Sequence, residues 1–262
     1  MSTAPAAART PAEHALASAT APRAQLSLVF PVFDEERNIG PLLESSLQLA
    51  PQLADSFEIV VVDDGSRDGS ADVIECQRLA DPRIRVVRHA SNRGYGAALR
   101  AGLREARGDL VFFSDADLQF DIAELSKLLA HADDFDIVAG YRHPRRDPWP
   151  RRAIARLWGA LVRWLFELRV RDIDCAFKIF HRRVIETIPM ESIGAFVNTE
   201  ILVRARREGF RIHQVPVTHR RRRHGSQSGA RPRVILRAAI ELTTLSRELR
   251  RPRPDRAPPD RA

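Results

Sequence analysis

The sequence predicts a protein of the α/β class, with a mostly parallel sheet that carries helices on both faces. Short apolar runs suited to strands alternate along the first half of the chain with segments whose apolar residues recur at helical spacing. Strands that alternate with helices form parallel sheets covered on both sides. Acidic clusters stand directly after two of the runs, and ligands of such sheets bind beyond the carboxyl ends of the strands.

The first predicted unit is a strand at residues 26–32 followed by a helix. Ile39, Leu42, Leu43 and Leu47 fall on one face of that helix. Further strands are predicted at residues 58–62, 84–87, 110–114 and 136–139, with helices at about 70–79 and 94–107.

The pattern changes after residue 145. The segments predicted there are an amphipathic helix at 151–168, a mixed segment at 172–180, a helix near 199–208, a strand at 211–217, an arginine run at 220–223 and a last helix at about 233–250. The Ala/Pro/Thr-rich residues 1–24 and the Pro/Arg/Asp-rich residues 251–262 lack periodicity, and we expect both to be disordered tails.

The charge of the chain points to an anionic partner. The formal net charge is +8, nearly all of the positive charge is arginine, and the basic residues crowd into residues 142–256. Such a surface suits nucleic acid, phosphate ligands or an anionic membrane. We expect no nucleic-acid partner, because no aromatic residues interleave with the arginine run as they do in single-strand binders.

The cysteine count argues against a protein held together by disulfides, and the lengths of the apolar stretches argue against a membrane-spanning protein. Cys76 and Cys175 are the only cysteines and make no disulfide framework, which favours a reducing compartment. No stretch approaches the ~18 apolar residues needed to span a bilayer. We therefore expect a cytoplasmic protein that touches the cytoplasmic face of a membrane without crossing it.

The contact with that membrane is expected from one helix. Trp149, Trp158 and Trp164, with arginines between them, make residues 149–168 a candidate interfacial helix. A core helix with an arginine face would show the same pattern.

The acidic cluster Asp115-Ala116-Asp117 closes a predicted strand. If the backbone stays extended, Asp115, Asp117 and Gln119 point the same way and offer three oxygen-bearing side chains to one place. Two carboxylates and an amide oxygen suit Mg²⁺ or Mn²⁺, which favour hard oxygen ligands and complete their shell with substrate phosphates. Solvated loop acids are the alternative.

Two other loops have both a structural and a functional interpretation. Asp63-Asp64-Gly65-Ser66 reads as a turn for reasons of backbone geometry, and it also places Asp64 where it could contact the base or ribose of a nucleotide. Asn92-Arg93-Gly94-Tyr95-Gly96 is a near miss for the dinucleotide fingerprint, because Leu99 fills the third glycine position. Helix N-terminal amides near a phosphate and a plain capping turn both remain open there.

Taken in order, these motifs resemble the family 2 glycosyltransferases, which have the GT-A fold. The nearest branch makes dolichol- or polyprenol-phosphate sugars, and the resemblance runs from about Leu26 to the last helix. Its landmarks here are the segments at residues 30–36, 62–66, 92–94, 115–119, 140–142 and 222–225. The resemblance implies one catalytic domain over residues 25–230, followed by a C-terminal helix at 231–250.

The resemblance also implies roles in binding the donor. It places Pro31, Phe33 and Glu35 on the nucleotide. It places metal contact at Asp117 and Gln119, and donor or metal contact at Asp115. The donor-binding set implied in this way is Pro31, Phe33, Glu35, Asp64, Asp115, Ala116 and Asp117.

Arginines are implied to hold the acceptor and the leaving group. Arg142 and one of Arg151 and Arg152 would hold the phosphate of a lipid acceptor, since a guanidinium fork suits phosphate. An arginine of the run at 220–223 would stabilise the departing diphosphate from a loop closing over it, and Arg222 is preferred. Asp117, Arg142 and Arg222 are thus the residues expected to act in catalysis.

The implied reaction is inverting transfer of a hexose from a nucleotide sugar to a polyprenyl phosphate, with Mg²⁺ or Mn²⁺ as cofactor. GDP-mannose is the first choice of donor and UDP-glucose the second. The alternatives are a family 2 transferase with a hydroxyl acceptor and a non-catalytic nucleotide-sugar sensor or membrane adaptor. A hydroxyl acceptor needs a base, and Glu200 sits where relatives often carry an acid, whereas a phosphate acceptor does not require one.

Overall fold

A computed structural model describes the backbone of residues 25–144, 149–222, 224 and 232–250, and for residues 149–154, 232–235 and 250 the backbone alone. Both predicted tails and most of the loop after the arginine run therefore lie outside the described residues. The described chain folds around one seven-stranded sheet with the strand order β3-β2-β1-β4-β6-β5-β7.

The sheet is mixed rather than wholly parallel. β1, β2, β3 and β4 are parallel to one another, and β7 is parallel to β5, whereas β6 runs antiparallel to both β4 and β5. The strands are β1 (Leu26–Val32), β2 (Phe57–Asp63), β3 (Ile84–Arg88), β4 (Leu110–Ser114), β5 (Ile137–Arg142), β6 (Phe177–His181) and β7 (Ile212–Val217).

Helices cover both faces of this sheet, which confirms the predicted α/β class. They are α1 (Glu36–Leu53), α2 (Ser70–Ala80), α3 (Tyr95–Glu105), α4 (Leu125–Leu129), α5 (Trp149–Phe166), α6 (Arg182–Thr187), α7 (Val197–Arg207) and α8 (Pro232–Arg250), with a 3₁₀ turn at Ile122–Glu124.

The strand residues alternate between two apolar cores, one on each face. Val29 and Phe113 point to a core formed with α3, α5, α7 and α8. Leu28 and Phe112 point to a second core, formed with α1, α2 and α4. Each strand contributes to both cores because successive residues of a strand face opposite sides of the sheet.

The two long helices of the second half belong to the first core. Leu242 and Leu245 of α8 are buried there, and so is Val162 of α5. The C-terminal helix therefore packs into the same core as the preceding domain. Within the described part of the chain, no helix combines the length and apolar character needed to cross a membrane.

The sequence missed several elements. The strand β6 overlaps the end of the segment at 172–180, for which the sequence predicts no single type of structure. The sequence also does not predict the short helices α4 and α6. Their apolar residues are too few to show a period. The predicted Asp136–Ala139 strand begins one residue later and continues to Arg142, so Arg142 is the last strand residue rather than a loop residue.

A close contact at the start of α3 joins the two halves of the chain. Gly96 donates its backbone N–H to the carbonyl of Ile193 over 2.9 Å. A Cβ atom on Gly96 would lie 2.4 Å from the carbonyl oxygen of Ser192 and 2.7 Å from that of Gly194. The turn at residues 192–194 can approach α3 because residue 96 is glycine.

We expect Gly96→Ala to lower the free energy of unfolding by about 1–3 kcal/mol, because backbone must shift to admit one methyl group. The measurement is chemical denaturation. Gly159→Ala is the matched control, since its Cβ would meet only the end of the Arg163 side chain, 3.4 Å away, inside α5. That variant should be neutral or more stable by about 0.5–1 kcal/mol. Equal effects of the two variants would contradict the close contact.

Candidate active site

The loops after β1 and β2 are tied to each other at the carboxyl edge of the sheet. The Glu35 N–H donates to the Ser70 hydroxyl over 2.8 Å, and the Arg67 N–H donates to Asp34 over 2.8 Å. Asp34 itself has a positive φ of 55°. These bonds hold the segment that carries the predicted nucleotide contacts. Pro31 lies buried in β1, and Phe33 is 37% exposed just beyond it.

Asp64 organises the next loop from its buried position at the end of β2. One carboxylate oxygen accepts from the Arg93 N–H at 2.9 Å and contacts the His89 ring at 2.6 Å. The other oxygen accepts from the Gly94 N–H at 2.9 Å. Asp64 thus holds the loop at residues 93–94, whereas the turn predicted at residues 63–66 is held by the Ser66 N–H, which donates to Asp63 over 2.9 Å. A cleft of about 590 Å³, lined in part by Gly65 and Asn92, opens beside it.

The chain does not stay extended after β4, and this part of the prediction is wrong. Leu118 has a positive φ of 58°. The Gln119 N–H turns back to Asp117 at 3.1 Å, and the Gln119 side-chain nitrogen lies 3.2 Å from the His219 ring and donates to the Arg220 carbonyl over 3.1 Å. The Gln119 backbone thus stays beside Asp117, while the nitrogen of its side chain links the loop after β4 to the segment after β7.

Asp115 is the most perturbed acid of the site. Burial, and then the negative charge of Asp117, raise the pKa of Asp115 to about 7, against the opposing influence of Tyr95, Lys178 and Arg142. The Tyr95 hydroxyl, whose hydrogen bonding opposes this rise, and one carboxylate oxygen of Asp115 are buried, and neither makes a short, well-aligned hydrogen bond with a described residue. Ala116 between the two acids is also buried.

A buried lysine, Lys178, lies near this acid. The Lys178 ammonium donates to the carbonyl of Ile173 over 3.1 Å, to Asn198 over 3.0 Å and to the carbonyl of Cys175. Burial lowers the pKa of Lys178. Lys178 fixes the turn before β6 and places positive charge near Asp115.

Arg222 connects the loops after β1 and β4. Its guanidinium forms a close ion pair with Glu35 and lies 3.4 Å from a carboxylate oxygen of Asp117. Burial raises the pKa of Glu35, against the Asn38 hydrogen bond and the charge of Arg222. Of the described arginines in the run, residues 220–222, Arg222 is the one that contacts Glu35 and Asp117. Arg220 pairs with Asp121 over 2.5 Å instead.

Arg142 is engaged by an acid that the sequence did not assign to it. Its guanidinium contacts Asp172 over 2.6 and 2.7 Å, and both side chains are less than a tenth exposed. A bidentate pair of this kind fixes the orientation of the guanidinium. The side chains of Arg151 and Arg152, the whole of Arg223 and residues 225–230 lie outside the described residues.

Glu200 is held in the interior by several donors. Its carboxylate accepts from the backbone N–H groups of Glu191 and Ser192 over 3.1 and 2.8 Å. It also accepts from Arg204 over 3.0 Å, and only 2% of Glu200 is exposed. A carboxylate fixed in this way shapes the turn at residues 191–194 and faces away from solvent.

The acids at the end of β4 fit a divalent cation. One buried carboxylate oxygen of Asp115 makes no well-aligned hydrogen bond with a described residue, and hard cations prefer carboxylate oxygens. No group of three or more His, Cys, Asp or Glu side chains at metal-ligand spacing occurs in the described part of the chain. Asp115 and Asp117 would therefore hold such an ion together with oxygens from a ligand, and the nearby arginines suit a ligand that carries phosphate.

Comparisons with known proteins agree with this chemistry. Residues 27–194 match the family described as glycosyl transferase family 2. The chain is 32% identical to glycosyltransferase AglD of Haloferax volcanii, covering 79% of this chain and 35% of that protein. It is 34% identical to undecaprenyl-phosphate 4-deoxy-4-formamido-L-arabinose transferase of Pseudomonas paraeruginosa, covering 84% of this chain and 64% of that protein. The chain thus spans about a third to two thirds of these relatives.

Solved structures confirm the predicted GT-A-like fold. Mannosyl-3-phosphoglycerate synthase from Rubrobacter xylanophilus matches with a TM-score of 0.69 and 22% identity, over 91% of this chain and 77% of that one. Glucosyl-3-phosphoglycerate synthase from Mycobacterium tuberculosis, solved with Mn²⁺, UDP and phosphoglyceric acid, matches with a TM-score of 0.64 and 24% identity, over 93% and 81%.

The pKa of Asp115 predicts a pH-dependent stability. Asp115 ionises near pH 4 in the unfolded chain and near 7 in the folded one. Between these values the unfolded chain loses the proton first, so the ligand-free protein loses stability as pH rises through this window.

Asp115→Asn removes this penalty. We expect the variant to be about 1–3 kcal/mol more stable than the ligand-free parent at pH 8, and the difference to vanish near pH 4. Denaturation across pH 4–8 measures it. Asp133→Asn, at an exposed position, is the control and should not change the profile. An Asp115→Asn variant with the pH profile of the parent would contradict the raised pKa.

Proposed function

Because this chain belongs to glycosyl transferase family 2, we propose that it transfers a sugar from a nucleotide-sugar donor to a polyprenyl phosphate with the help of a divalent cation. The observation that carries the proposal is the acid pair of half-buried Asp115 and buried Asp117 beside Arg222. The names of the curated relatives support the acceptor, since several are transferases that act on undecaprenyl phosphate.

The donor site consists of acids and one arginine. Asp115 and Asp117 would hold Mg²⁺ or Mn²⁺, an ion that neutralises charge on a departing diphosphate. The presence of Mn²⁺ or Mg²⁺ with UDP in structures of the same fold supports that choice. Arg222 would lie against the diphosphate, and Glu35 and Phe33 would border the nucleotide. Gln119 serves this site by holding the segment that leads to Arg222.

The acceptor phosphate requires positive charge. A phosphate monoester has a second pKa of about 6, so it is largely dianionic at neutral pH and attacks without first losing a proton. Arg142 is proposed to face this phosphate, held in orientation by Asp172. Arg151 or Arg152, which follow in α5, are proposed as its partners.

The choice of sugar is proposed from the resemblance to the family 2 branch that makes polyprenol-phosphate sugars. GDP-mannose is the proposed first donor and UDP-glucose the second, with inversion at the anomeric carbon. The relatives include transferases of a modified arabinose, so a panel of donors is the appropriate test. The glucosyl- and mannosyl-3-phosphoglycerate synthases share less than a quarter of their residues with this chain, and their names do not decide the sugar.

A polyprenyl phosphate acceptor lies in a membrane, and α5 offers a surface that suits one. Leu157, Leu161 and Trp164 form a stripe at helical spacing and are 74%, 37% and 78% exposed. No acidic residue occurs in α5, and Arg156 and Arg163 are exposed beside the stripe. Apolar side chains flanked by arginines are typical of helices at anionic membrane surfaces.

The proposal is tested by incubating the protein with labelled sugar nucleotides, Mg²⁺ or Mn²⁺ and undecaprenyl phosphate, followed by lipid extraction. Label is expected in the lipid phase, and it is expected to be lost with a chelator and in Asp117→Asn. Label in the lipid phase with a chelator present would overturn the role of the ion. Absence of lipid-linked label with every donor, while free sugars or proteins become labelled, would overturn the acceptor.

The acceptor class predicts the behaviour of Glu200→Gln. We expect the folded variant to keep transfer within about threefold of the parent, because a phosphate acceptor needs no base. The free energy of unfolding should fall by about 1–3 kcal/mol as the buried carboxylate loses its charge beside Arg204. Circular dichroism measures the amount of folded protein, and transfer is expressed per amount of folded protein. Loss of all transfer with normal folding and nucleotide affinity would indicate a hydroxyl acceptor.

The membrane surface predicts a second effect. Replacing Leu157 and Trp164 with serine should weaken sedimentation with anionic vesicles at low salt by about tenfold or more, since each large apolar side chain contributes about 1.5–3 kcal/mol when buried. Leu79→Ser is the control, because Leu79 is 73% exposed on α2. Trp158 is unsuitable for this test, since it packs against Phe196 in the core. Unchanged binding of the double variant would contradict the assignment of α5.

A further inference from the structure

The Arg222 guanidinium lies between two acids from distant parts of the chain. One nitrogen is paired with Glu35, after β1, and another lies 3.4 Å from Asp117, after β4. The third nitrogen donates to the His224 carbonyl over 2.6 Å. The Arg222 side chain is 16% exposed and its two acid partners about a tenth. These contacts fix a positive charge within the acid cluster.

Asp117, one of these two acids, also has a part in the proposed metal site. A divalent ion bound to Asp117 would take up the carboxylate that Arg222 contacts. Two cations that share one partly buried carboxylate repel each other, and water screens such a repulsion only weakly at low exposure. In the absence of other anions, binding of the ion and the present position of Arg222 therefore oppose each other.

We propose that Arg222 takes the place of the divalent ion in the donor-free protein and moves to the diphosphate when donor and ion bind together. This inference rests on the proposed function and adds a coupling between its ligands. A diphosphate brings negative charge of its own, so the ion and the guanidinium can then be held at once. The donor thus removes the repulsion that weakens binding of the ion alone.

The coupling has a consequence for the order of binding. Two ligands that favour each other's binding do so by the same factor in both directions. The ion should bind weakly to the donor-free protein and more tightly once nucleotide is present. Removing Arg222 should separate these effects, because the variant loses both the competitor of the ion and a partner of the diphosphate.

The test measures Mn²⁺ affinity by electron paramagnetic resonance of free Mn²⁺, with no nucleotide present. Arg222→Gln should bind Mn²⁺ about tenfold or more tightly than the parent, because the competing charge is gone. Arg221→Gln removes the same charge from the neighbouring exposed residue and should stay within about twofold of the parent. This control separates the contact from the general effect of net charge.

The titration is then repeated with saturating GDP and with saturating UDP, each corrected by a protein-free titration because these nucleotides bind Mn²⁺ themselves. The advantage of Arg222→Gln over the parent should disappear with the nucleotide that binds, since Arg222 then contacts the diphosphate. Mn²⁺ binding to Arg222→Gln no tighter than to the parent without nucleotide would overturn the inference, and so would an advantage that persists with both nucleotides. Either result with lipid transfer intact overturns this inference alone and leaves the proposed function standing.

Discussion

The negative charge buried at the carboxyl end of β4 is the constraint on which the rest of the site depends. Asp115 and Asp117 stand two residues apart, and burial together with their mutual repulsion raises the pKa of Asp115 to about 7. Positive groups approach this pair from three sides: Lys178 from β6, Arg142 from β5 and Arg222 from the segment after β7. Each lowers the cost of the charge without removing it, and one oxygen of Asp115 makes no well-aligned hydrogen bond with a described residue. A cation bound there would meet that need.

The sheet topology explains how these groups meet. β1, β2 and β4 are parallel, so their carboxyl ends and the acids after them share one edge of the sheet. β6 is antiparallel to β4 and begins at this same edge, with Phe113 opposite Lys178. The reversal places a lysine from the second half of the chain behind Asp115. A wholly parallel sheet would put the start of β6 at the opposite edge.

Much of the fold was predictable because its signals are local. Apolar runs and helical spacing give the strands and helices of the first half, and the acids that end β2 and β4 follow directly from them.

Contacts between residues that are distant in the sequence produce no local pattern from which they could be predicted. The pairs Arg142–Asp172 and Arg222–Glu35 join residues 30 and 187 positions apart, and no periodicity reports them. The positive φ of Leu118 breaks the extended backbone on which the alignment of Gln119 with the two acids depended, and a left-handed non-glycine residue is uncommon enough that the sequence alone does not predict it. Glu200 was ambiguous in sequence, since the backbone N–H groups that hold it become visible only in the fold.

The account depends most on a cation that joins the acid pair to a diphosphate. Electron–nuclear double resonance of the protein with Mn²⁺ and GDP or UDP measures this directly, through the coupling between the Mn²⁺ electrons and ³¹P nuclei. The nucleotides also bind Mn²⁺ in solution, so the spectrum is taken on protein separated from the free Mn²⁺–nucleotide complex. The account predicts that Mn²⁺ retained by the parent shows a ³¹P coupling typical of direct coordination and that Asp117→Asn retains no Mn²⁺ with this coupling. Mn²⁺ bound without a ³¹P coupling in the parent, or an unchanged coupling in Asp117→Asn, would contradict the account.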